Sequence, residues 1–299
     1  MTAGDFKPIF TTTSSPVEER PPPVLEAFFK DSFKLPTILA LGGLLQTIAS
    51  TILPARYALA PLLLLLGRAL ISTIIQARSP KDNPFTLGVV PGRVSAQLPS
   101  RTSGAFGAKP AAEPLVVFHL GVRINHPLGL VSPGAKEIGD YFTAMIKSLE
   151  RRRDEFGMLH ITNWRSAERS SNNTIMIIAY FRDVAGLNEF AHDKAHRDAW
   201  DWYLRFARKE GNSHLGIFHE TFVSRAGDYE TIYVDCAPTL LGAANVRVNV
   251  DDNSSEKGPE EPGKETWVRP LVSASHSALR SQQGRMGTAL PFEGNADMY

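Results

Sequence analysis

The stretch LVVFHLGVRIN (Leu115–Asn125) decides the fold of the central part of this 299-residue chain. Every second residue from Val116 onward is apolar, whereas the residues between them include His119, Gly121 and Arg123. Successive residues of a strand point to opposite faces of its sheet. The alternation therefore predicts a strand with one apolar face, which packs on helices, and one more polar face.

Helical and strand periodicities alternate along the rest of residues 114–244, which we interpret as the catalytic domain. Apolar residues recur at helical spacing in Lys136–Phe156 and Gly186–Glu210. Strands are predicted at Leu159–Ser166, Thr174–Asp183, Leu215–Ser224 and, as a short further strand, Glu230–Cys236. The order β-α-β-β-α-β predicts an α+β fold of the ferredoxin-like type, with both helices on one face of an antiparallel sheet.

The other face of this sheet needs a cover, because the strand Thr174–Asp183 is apolar on both sides. A homodimer that closes two such sheets into one α+β barrel would provide it. The alternative is a monomer whose open face is covered by residues 79–113.

An acid-free apolar region at residues 35–77 predicts a membrane-anchor hairpin. Leu35–Leu53 is nineteen residues without a charge, about the length that spans the hydrocarbon core. A second apolar run, Tyr57–Ala77, is broken only by Arg68. Lys and Arg flank the hairpin on both outer sides, which predicts an endomembrane location, such as the endoplasmic reticulum, with both ends cytosolic. A buried hairpin in a soluble domain, or a second run that lies in the interface, are the alternatives.

The remaining segments are polar or rich in proline and glycine. Residues 1–34 are predicted to be a flexible N-terminus, 78–113 a Pro/Gly-rich linker and 245–299 a disordered tail. The net charge of +1 argues against a nucleic-acid partner. The single cysteine, Cys236, excludes a disulfide framework within the chain.

His196 is the leading candidate for a catalytic group. It lies four residues before Trp200 and seven before Tyr203, on the stripe of the second helix that faces the core. A neutral imidazole near pH 7 can act as a general base, although a half-buried structural histidine is the alternative. His192 and His196 have the spacing of a zinc helix, but no third ligand is marked, so no metal site is predicted.

The strands contribute further candidates. His219 and Glu220 are adjacent, so they lie on opposite faces and only one can enter a given cavity. His119 and Arg123 share the polar face of the first strand, and Gly121 between them would leave room for a ligand. We expect one pocket, between sheet and second helix, that joins His196 with His119, Arg123 and His219.

Three segments resemble a known family. They are FHLGVRIN (Phe118–Asn125), AYFRDVAGLNEFAHDKAHRDAW (Ala179–Trp200) and GIFHETFVSRAGDYETIYVDCAP (Gly216–Pro238). They are similar to the antibiotic-biosynthesis-monooxygenase-like family, in the branch represented by the membrane-anchored monooxygenase of fumagillin biosynthesis. The resemblance covers about residues 114–244, and the N-terminal apolar hairpin is also similar to that branch.

The resemblance implies a dimeric α+β barrel that oxygenates a secondary metabolite, terpenoid or polyketide, often without flavin or metal. It also implies a role for His196, because relatives place a histidine before the corresponding tryptophan. The chain departs from the branch at Tyr180–Asp183, where relatives often have Tyr-Trp-Arg-Ser. It departs again at Asp235–Gly242, and we expect the floor of the pocket, and with it the substrate, to differ from those of the relatives.

Together these features predict a membrane-anchored monooxygenase whose partners are a small apolar metabolite, molecular oxygen and a second copy of the chain. His196, His219 and Arg123 are the predicted catalytic residues. The predicted substrate-binding residues are His119, Trp200, Tyr180, Tyr203 and Glu220. No cofactor is expected, because no G-x-G-x-x-G motif follows a strand; haem bound through a single histidine stays open. A non-oxidative cyclase, dehydratase or isomerase, and a non-catalytic tethered binding module, are the alternative functions.

Overall fold

The computed structural model describes residues 5–18, 33–166, 173–248 and 266–287. The chain forms two compact units, of which one is Glu19–Val89 and the other combines Met1–Glu18 with Val90–Tyr299. In chain order, the helices are α1 Leu35–Ile52, α2 Ala55–Arg78, α3 Ala135–Arg151, α4 Val184–His192, α5 Lys194–Ala207 and α6 Gln282–Arg285. The strands are β1 Val90–Ala96, β2 Leu115–Ile124, β3 Met158–Arg165, β4 Thr174–Phe181, β5 Leu215–Ser224, β6 Tyr233–Cys236, β7 Val246–Val248, β8 Thr266–Val268 and β9 Leu271–Ser273.

The central sheet has four antiparallel strands in the order β3-β4-β2-β5. Strand β2 lies in the middle, with Gly121 paired to Met176 of β4 and to Phe218 of β5. This is the strand order of the ferredoxin-like split unit. The predicted α+β fold class is confirmed, and strand β5 coincides with its predicted range.

Helices α3, α4 and α5 pack on one face of the sheet. The apolar stripe of α3 meets alternate residues of β2 and β4, as the period-2 pattern of β2 predicts. The large side chains of this core are Val116, Leu120, Val122, Ile124, Ile138, Phe142, Met145, Leu149, Phe156, Ile177, Phe181, Leu187 and Phe190.

The two helices predicted for this face differ in range from those in the structure. Helix α3 ends at Arg151 rather than Phe156, and Gly157, with a φ of +64°, turns the chain toward β3. The second predicted helix is interrupted at Asp193, whose backbone is extended. The Asp193 carboxylate accepts a hydrogen bond from the amide of Ala195 at 3.0 Å, so it caps α5 and starts a new helix.

The opposite face of the sheet is partly covered by the chain itself. Leu115, Leu159 and Tyr180 of the sheet contribute to a second apolar core. Its other large members are Phe6, Val94, Leu98, Phe106, Leu241, Val246, Val248, Val268, Leu271, Val272 and Leu279. Residues of the predicted 79–113 segment therefore do cover part of this face, together with segments from both ends of the chain.

Three predicted boundaries are wrong for the described residues. Residues 90–111 of the predicted linker contain β1, which pairs with β6 and β9. Residues 266–287 of the predicted disordered tail contain β8, β9 and α6, and β8 pairs with β7. Within residues 5–18 of the predicted flexible N-terminus, Phe6 is buried. Pro8 forms an isolated β-bridge with Val272, and Thr13 forms one with Trp267. These strands are short, and long-range pairing rather than local periodicity stabilises them.

The hairpin unit consists of α1 and α2, joined at Leu53 and Pro54. Both helices are long and apolar enough to cross a membrane. Their apolar side chains are exposed, for example Leu64 at 72%. This exposure disfavours the alternative of a hairpin buried in a soluble core. The side-chain amide of Gln46 on α1 donates a hydrogen bond to the carbonyl of Ala58 on α2 at 3.2 Å.

Candidate active site

A small cavity lies between the sheet and the helices α3 and α5. We call it the helix-side cleft. Its volume is about 40 Å³, which exceeds the space of one water molecule. Its walls are mostly apolar, with one imidazole and three aromatic groups that carry a polar atom. The cleft is lined by Leu120, Ile138, Tyr141, Phe142, Met145, His196, Ala199, Trp200, Tyr203 and Ile217.

The break at Asp193 positions His196 in the first turn of α5. The Asp193 carboxylate that caps this helix also pairs with Arg152 at the end of α3. Arg152 lies over the ring of Phe156, with Cζ 4.4 Å from the ring centroid. These contacts tie the start of α5 to α3, so the two helices that line the cleft are held together beside His196.

The environment of His196 favours the neutral imidazole. Burial lowers its pKa from 6.5, and repulsion by His219 and His192 lowers it further, while the backbone of Ala191 and the charge of Asp193 oppose the shift. The ring of Phe190 packs edge-on at 5.9 Å between centroids. His196 is therefore unprotonated at neutral pH, as a general base requires.

His219 lies on the same side of the sheet as His196. It follows Ile217 by two residues on β5, and its ring is tilted against Phe118 at 5.9 Å between centroids. The ring is exposed. This position, within the electrostatic reach of His196, suits exchange of a proton between the cleft and solvent.

Trp200 and Tyr203 flank the cleft as predicted from their spacing. Their ring centroids are 5.6 Å apart. The Tyr203 hydroxyl donates to the carbonyl of Leu215 at 3.0 Å, so it fixes α5 to β5. Trp200 is 46% exposed and forms the lip of the cleft. Tyr141, also in the lining, was not predicted, although it lies on the α3 stripe between Ile138 and Met145.

The structure places His119, Arg123 and Glu220 on the opposite face of the sheet. His119 Nδ1 lies 3.7 Å from Glu220 Oε2, which is too long for a hydrogen bond but close enough for an ion pair when His119 is protonated. Arg123 pairs in register with Thr174 on this open face. The expectation of one pocket that joins these residues with His196 is wrong, because the sheet lies between them.

Two further expectations are wrong: that Gly121 leaves room for a ligand, and that Tyr180 lines the substrate pocket. The space beside Gly121 is filled, because a Cβ atom there would lie 2.1 Å from Cζ of Phe218. Tyr180 is buried in the second core, where burial raises its pKa, and its hydroxyl accepts a hydrogen bond from the amide of Leu241. Tyr180 thus supports the fold rather than the cleft.

No group of three or more His, Cys, Asp or Glu that could hold a metal ion occurs within residues 5–18, 33–166, 173–248 and 266–287. His192 and His196 accordingly lack the further ligand that a zinc site needs in this part of the chain.

Comparison with known proteins identifies relatives along almost the whole chain. The family model described as "Monooxygenase af470-like" matches residues 115–241. Monooxygenase af470 of Aspergillus fumigatus is 40% identical over 282 residues, which are 94% of this chain and 98% of that protein.

Solved structures give weaker matches. The aldoxime dehydratase OxdRE, in complex with butyraldoxime, is 18% identical with a TM-score of 0.38, over 50% of this chain and 39% of that chain. SnoaB, a cofactor-independent oxygenase from Streptomyces nogalater, is 17% identical with a TM-score of 0.26, over 38% of this chain and 95% of that chain. These TM-scores carry no argument about activity.

The relationship to monooxygenase af470 extends through the apolar hairpin, the sheet domain and both terminal segments, and it decides against a non-catalytic tethered module. The chain belongs to the af470-like family of monooxygenases and is an oxidoreductase.

Proposed function

We propose that this monooxygenase oxygenates a small apolar metabolite, a terpenoid or polyketide of secondary metabolism, without flavin or metal. The observation that carries the proposal is the neutral, half-buried imidazole of His196 in an apolar cleft. Oxygenation without a cofactor needs a substrate that can become a carbanion or enolate. A base held in an apolar site is suited to generate one.

The reaction can be balanced with the substrate as the only reductant. The His196 imidazole removes a proton from an activated CH₂ group, and the resulting carbanion is oxidised by O₂ to a hydroperoxide. Loss of water then leaves a carbonyl group. One oxygen atom enters the product, the other leaves as water, and the four electrons come from the C–H bonds. The proton held by His196 is then returned, directly or through His219, to the peroxide anion, so the reaction releases no net proton.

The size of the cleft limits what it can hold. About 40 Å³ is enough for O₂ beside His196 but not for a metabolite skeleton. The skeleton must therefore lie at the mouth, against Trp200 and Tyr141, with only its reacting carbon directed inward. This arrangement favours a substrate with a flat apolar body and an acidic C–H bond at its edge.

Metabolite profiling of a host with and without the chain, under ¹⁸O₂, tests the proposal. We expect a precursor to accumulate when the chain is absent, and its product to carry one ¹⁸O atom when the chain is present. A product that contains no oxygen from O₂ would instead identify a cyclase, dehydratase or isomerase.

We also propose that α1 and α2 anchor the enzyme to an endomembrane, with both termini in the cytosol. The exposed apolar side chains of both helices support insertion into a membrane. The basic residues on both outer flanks support the orientation. The full chain should stay in the membrane pellet after carbonate extraction, and deletion of residues 35–78 should release it. A glycosylation acceptor inserted after Leu53 should be used, whereas acceptors at the two termini should not. A glycosylated C-terminus would contradict the topology.

A homodimer is proposed through the exposed part of the sheet around β5. Strand β5 is an edge strand, and Phe218 and Phe222, on the open face of the sheet, are 39% and 52% exposed. Phe222→Lys should raise the dimer dissociation constant at least about tenfold, since a buried unpaired charge is costly. Light scattering of the full chain in detergent measures this change, with Lys209→Ala as the control. A wild-type monomer at all concentrations would contradict the proposal.

A further inference from the structure

The two most exposed large apolar side chains of the described residues lie just after the hairpin, outside both of its helices. Phe85 is 85% exposed and Leu87 is 79% exposed. They follow α2 in a segment that contains two one-turn 3-10 helices, Pro80–Asp82 and Pro84–Thr86. We call residues 84–87 the post-helix turn. Single exposed apolar side chains are common on protein surfaces, so exposure alone assigns no role to them.

The backbone of the post-helix turn is fixed by local hydrogen bonds. Asn83 Oδ1 accepts from the amide of Phe85 at 3.0 Å, and the Thr86 hydroxyl donates to the carbonyl of Asn83 at 2.9 Å. The amide of Leu87 donates to the carbonyl of Pro84 at 3.3 Å. The turn therefore displays Phe85 and Leu87 on an ordered backbone, which lowers the entropy that is lost when they bind a surface.

The turn is close to the end of the proposed transmembrane helix α2. This helix has 24 residues, so it is about 36 Å long and slightly exceeds the hydrocarbon core of about 30 Å. Its last residue, Arg78, thus reaches the interface, and the chain leaves the helix axis at Ser79, whose backbone is extended. Phe85 cannot lie more than about 25 Å from Arg78 even in a fully extended chain. The two 3-10 turns, which rise only about 2 Å per residue, shorten this distance.

Positive charge predominates at this end of the hairpin. The charged residues within the described ranges 33–34 and 78–89 are Lys34, Arg78, Lys81 and Asp82, a net of +2. Arg78 and Lys81 are exposed, and neither forms an ion pair with another described residue. The cytosolic leaflet of a membrane is negatively charged and attracts basic residues next to a spanning helix. The surroundings of the turn therefore match a lipid surface in charge.

We propose that the post-helix turn is a second membrane contact, in which Phe85 and Leu87 enter the interface of the cytosolic leaflet and Arg78 and Lys81 bind its anionic headgroups. The inference rests on the proposed anchoring by α1 and α2. Apolar side chains with basic neighbours are typical of segments that lie about 5–10 Å deep at the boundary between headgroups and acyl chains. The membrane is also the surface that the covalent link to α2 keeps within reach of the turn.

The contact is too small to hold the enzyme on a membrane without the hairpin. Two apolar side chains and two cations give only weak, reversible binding. Deletion of residues 35–78 should therefore still release the chain. What the turn adds is a fixed depth for the segment that follows α2.

Fluorescence quenching of the full chain in vesicles of phosphatidylcholine and phosphatidylserine tests this proposal. An NBD group is attached to Leu87→Cys in a Cys236→Ser background, so the label has a single site. We expect quenching by lipids that carry a spin label near the headgroup end of the acyl chain. Quenching by iodide in the solvent should be at least about threefold weaker than for free NBD-labelled cysteine, because the label lies below the headgroups.

Further variants separate insertion of the turn from insertion of the hairpin. A label at Leu64→Cys in α2 should be quenched by the lipids and reports on the anchor alone. Phe85→Ser should expose the label at position 87 to iodide, because the neighbouring apolar side chain is lost. Thr86→Ser keeps the hydroxyl and is the matched control, which should leave the quenching unchanged. Vesicles without phosphatidylserine should give weaker quenching by the lipids.

Three outcomes would overturn the proposal. A label at position 87 that iodide quenches fully, while the label at position 64 is quenched by the lipids, would place the turn in solvent and leave the anchor intact. Protection from iodide without quenching by the lipids would identify a protein surface, such as a second copy, as the occupant. Unchanged quenching in Phe85→Ser would show that the label rather than the turn enters the membrane. If neither label is quenched by the lipids, the anchor itself fails and this inference fails with it.

Discussion

His196→Gln is expected to lower kcat by about 10²–10⁴, the usual contribution of one general base. Glutamine keeps the size and polarity of the side chain but cannot accept the proton. Because the neighbouring rings of Phe190 and Trp200 are unaffected, substrate binding at the mouth should change little. The loss should therefore fall on kcat rather than KM.

The pH dependence gives the same residue a second test. A base acts in its unprotonated form, and burial lowers the pKa of His196 below 6.5. The rate should be constant around neutral pH and fall as the pH decreases through this lowered pKa. In His196→Gln the acid limb that belongs to His196 should disappear from the residual activity.

His192→Gln is the matched control, because His192 is exposed and lies at the end of α4, four residues before His196 and outside the cleft. It should retain activity close to that of the unaltered enzyme. A fully active His196→Gln, combined with an inactive His119→Ala, would place the chemistry on the open face of the sheet. Full activity in both variants and in His219→Ala would exclude a general-base mechanism.

Arg285→Met is expected to destabilise the sheet domain by roughly 3 kcal/mol. The Arg285 side chain is almost fully buried, and its Nε donates to Glu230 Oε2 at 2.6 Å. Its Nη1 also donates to the carbonyls of Leu279 and Arg280, each at 3.2 Å. Removal of the guanidinium leaves a carboxylate and two carbonyls without these partners. The lower end of the range for buried pairs applies, because Glu230 is 23% exposed.

Urea unfolding of the full chain in detergent, followed by tryptophan fluorescence, measures this loss. Arg280→Gln is the control, since Arg280 is exposed and its side chain donates only at the surface. The double variant Glu230→Gln/Arg285→Met should recover part of the stability, because no charge is left unpaired. A change below about 0.5 kcal/mol in Arg285→Met would show that the C-terminal segment is not part of the cooperative fold.

The parts of the fold that local periodicity encodes could be predicted from the sequence. The alternation along Leu115–Asn125 assigns Val116 and Leu120 to the helix side, and His119 and Arg123 to the other. The sequence also contains a signal for the helix break at Asp193, which the predicted single helix Gly186–Glu210 overlooks. An Asp two residues before Ala195 is a capping residue, but helical apolar spacing continues across it.

The cover of the open face could not be predicted, because three of its strands are only three residues long and β1 pairs with β6 and β9 over large sequence distances. Val246–Val248 and Thr266–Val268 lie in polar surroundings that are typical of disorder. The candidate active site was predicted only in part. The spacing of His196, Trp200 and Tyr203 identifies one wall of the cleft, whereas joining His119 to it ignores the sheet between them.

The central claim is that the chain's own residues and the substrate carry out oxygenation at His196 without a cofactor. Its most direct test is the oxygen balance of the purified full-length enzyme in nanodiscs, after dialysis against a chelator and without flavin, nicotinamide or added reductant. We predict that each ¹⁸O₂ consumed gives one ¹⁸O atom in the product and one in water, and that His196→Gln abolishes both. Turnover that starts only when a metal, flavin or reductant is added back would contradict the account.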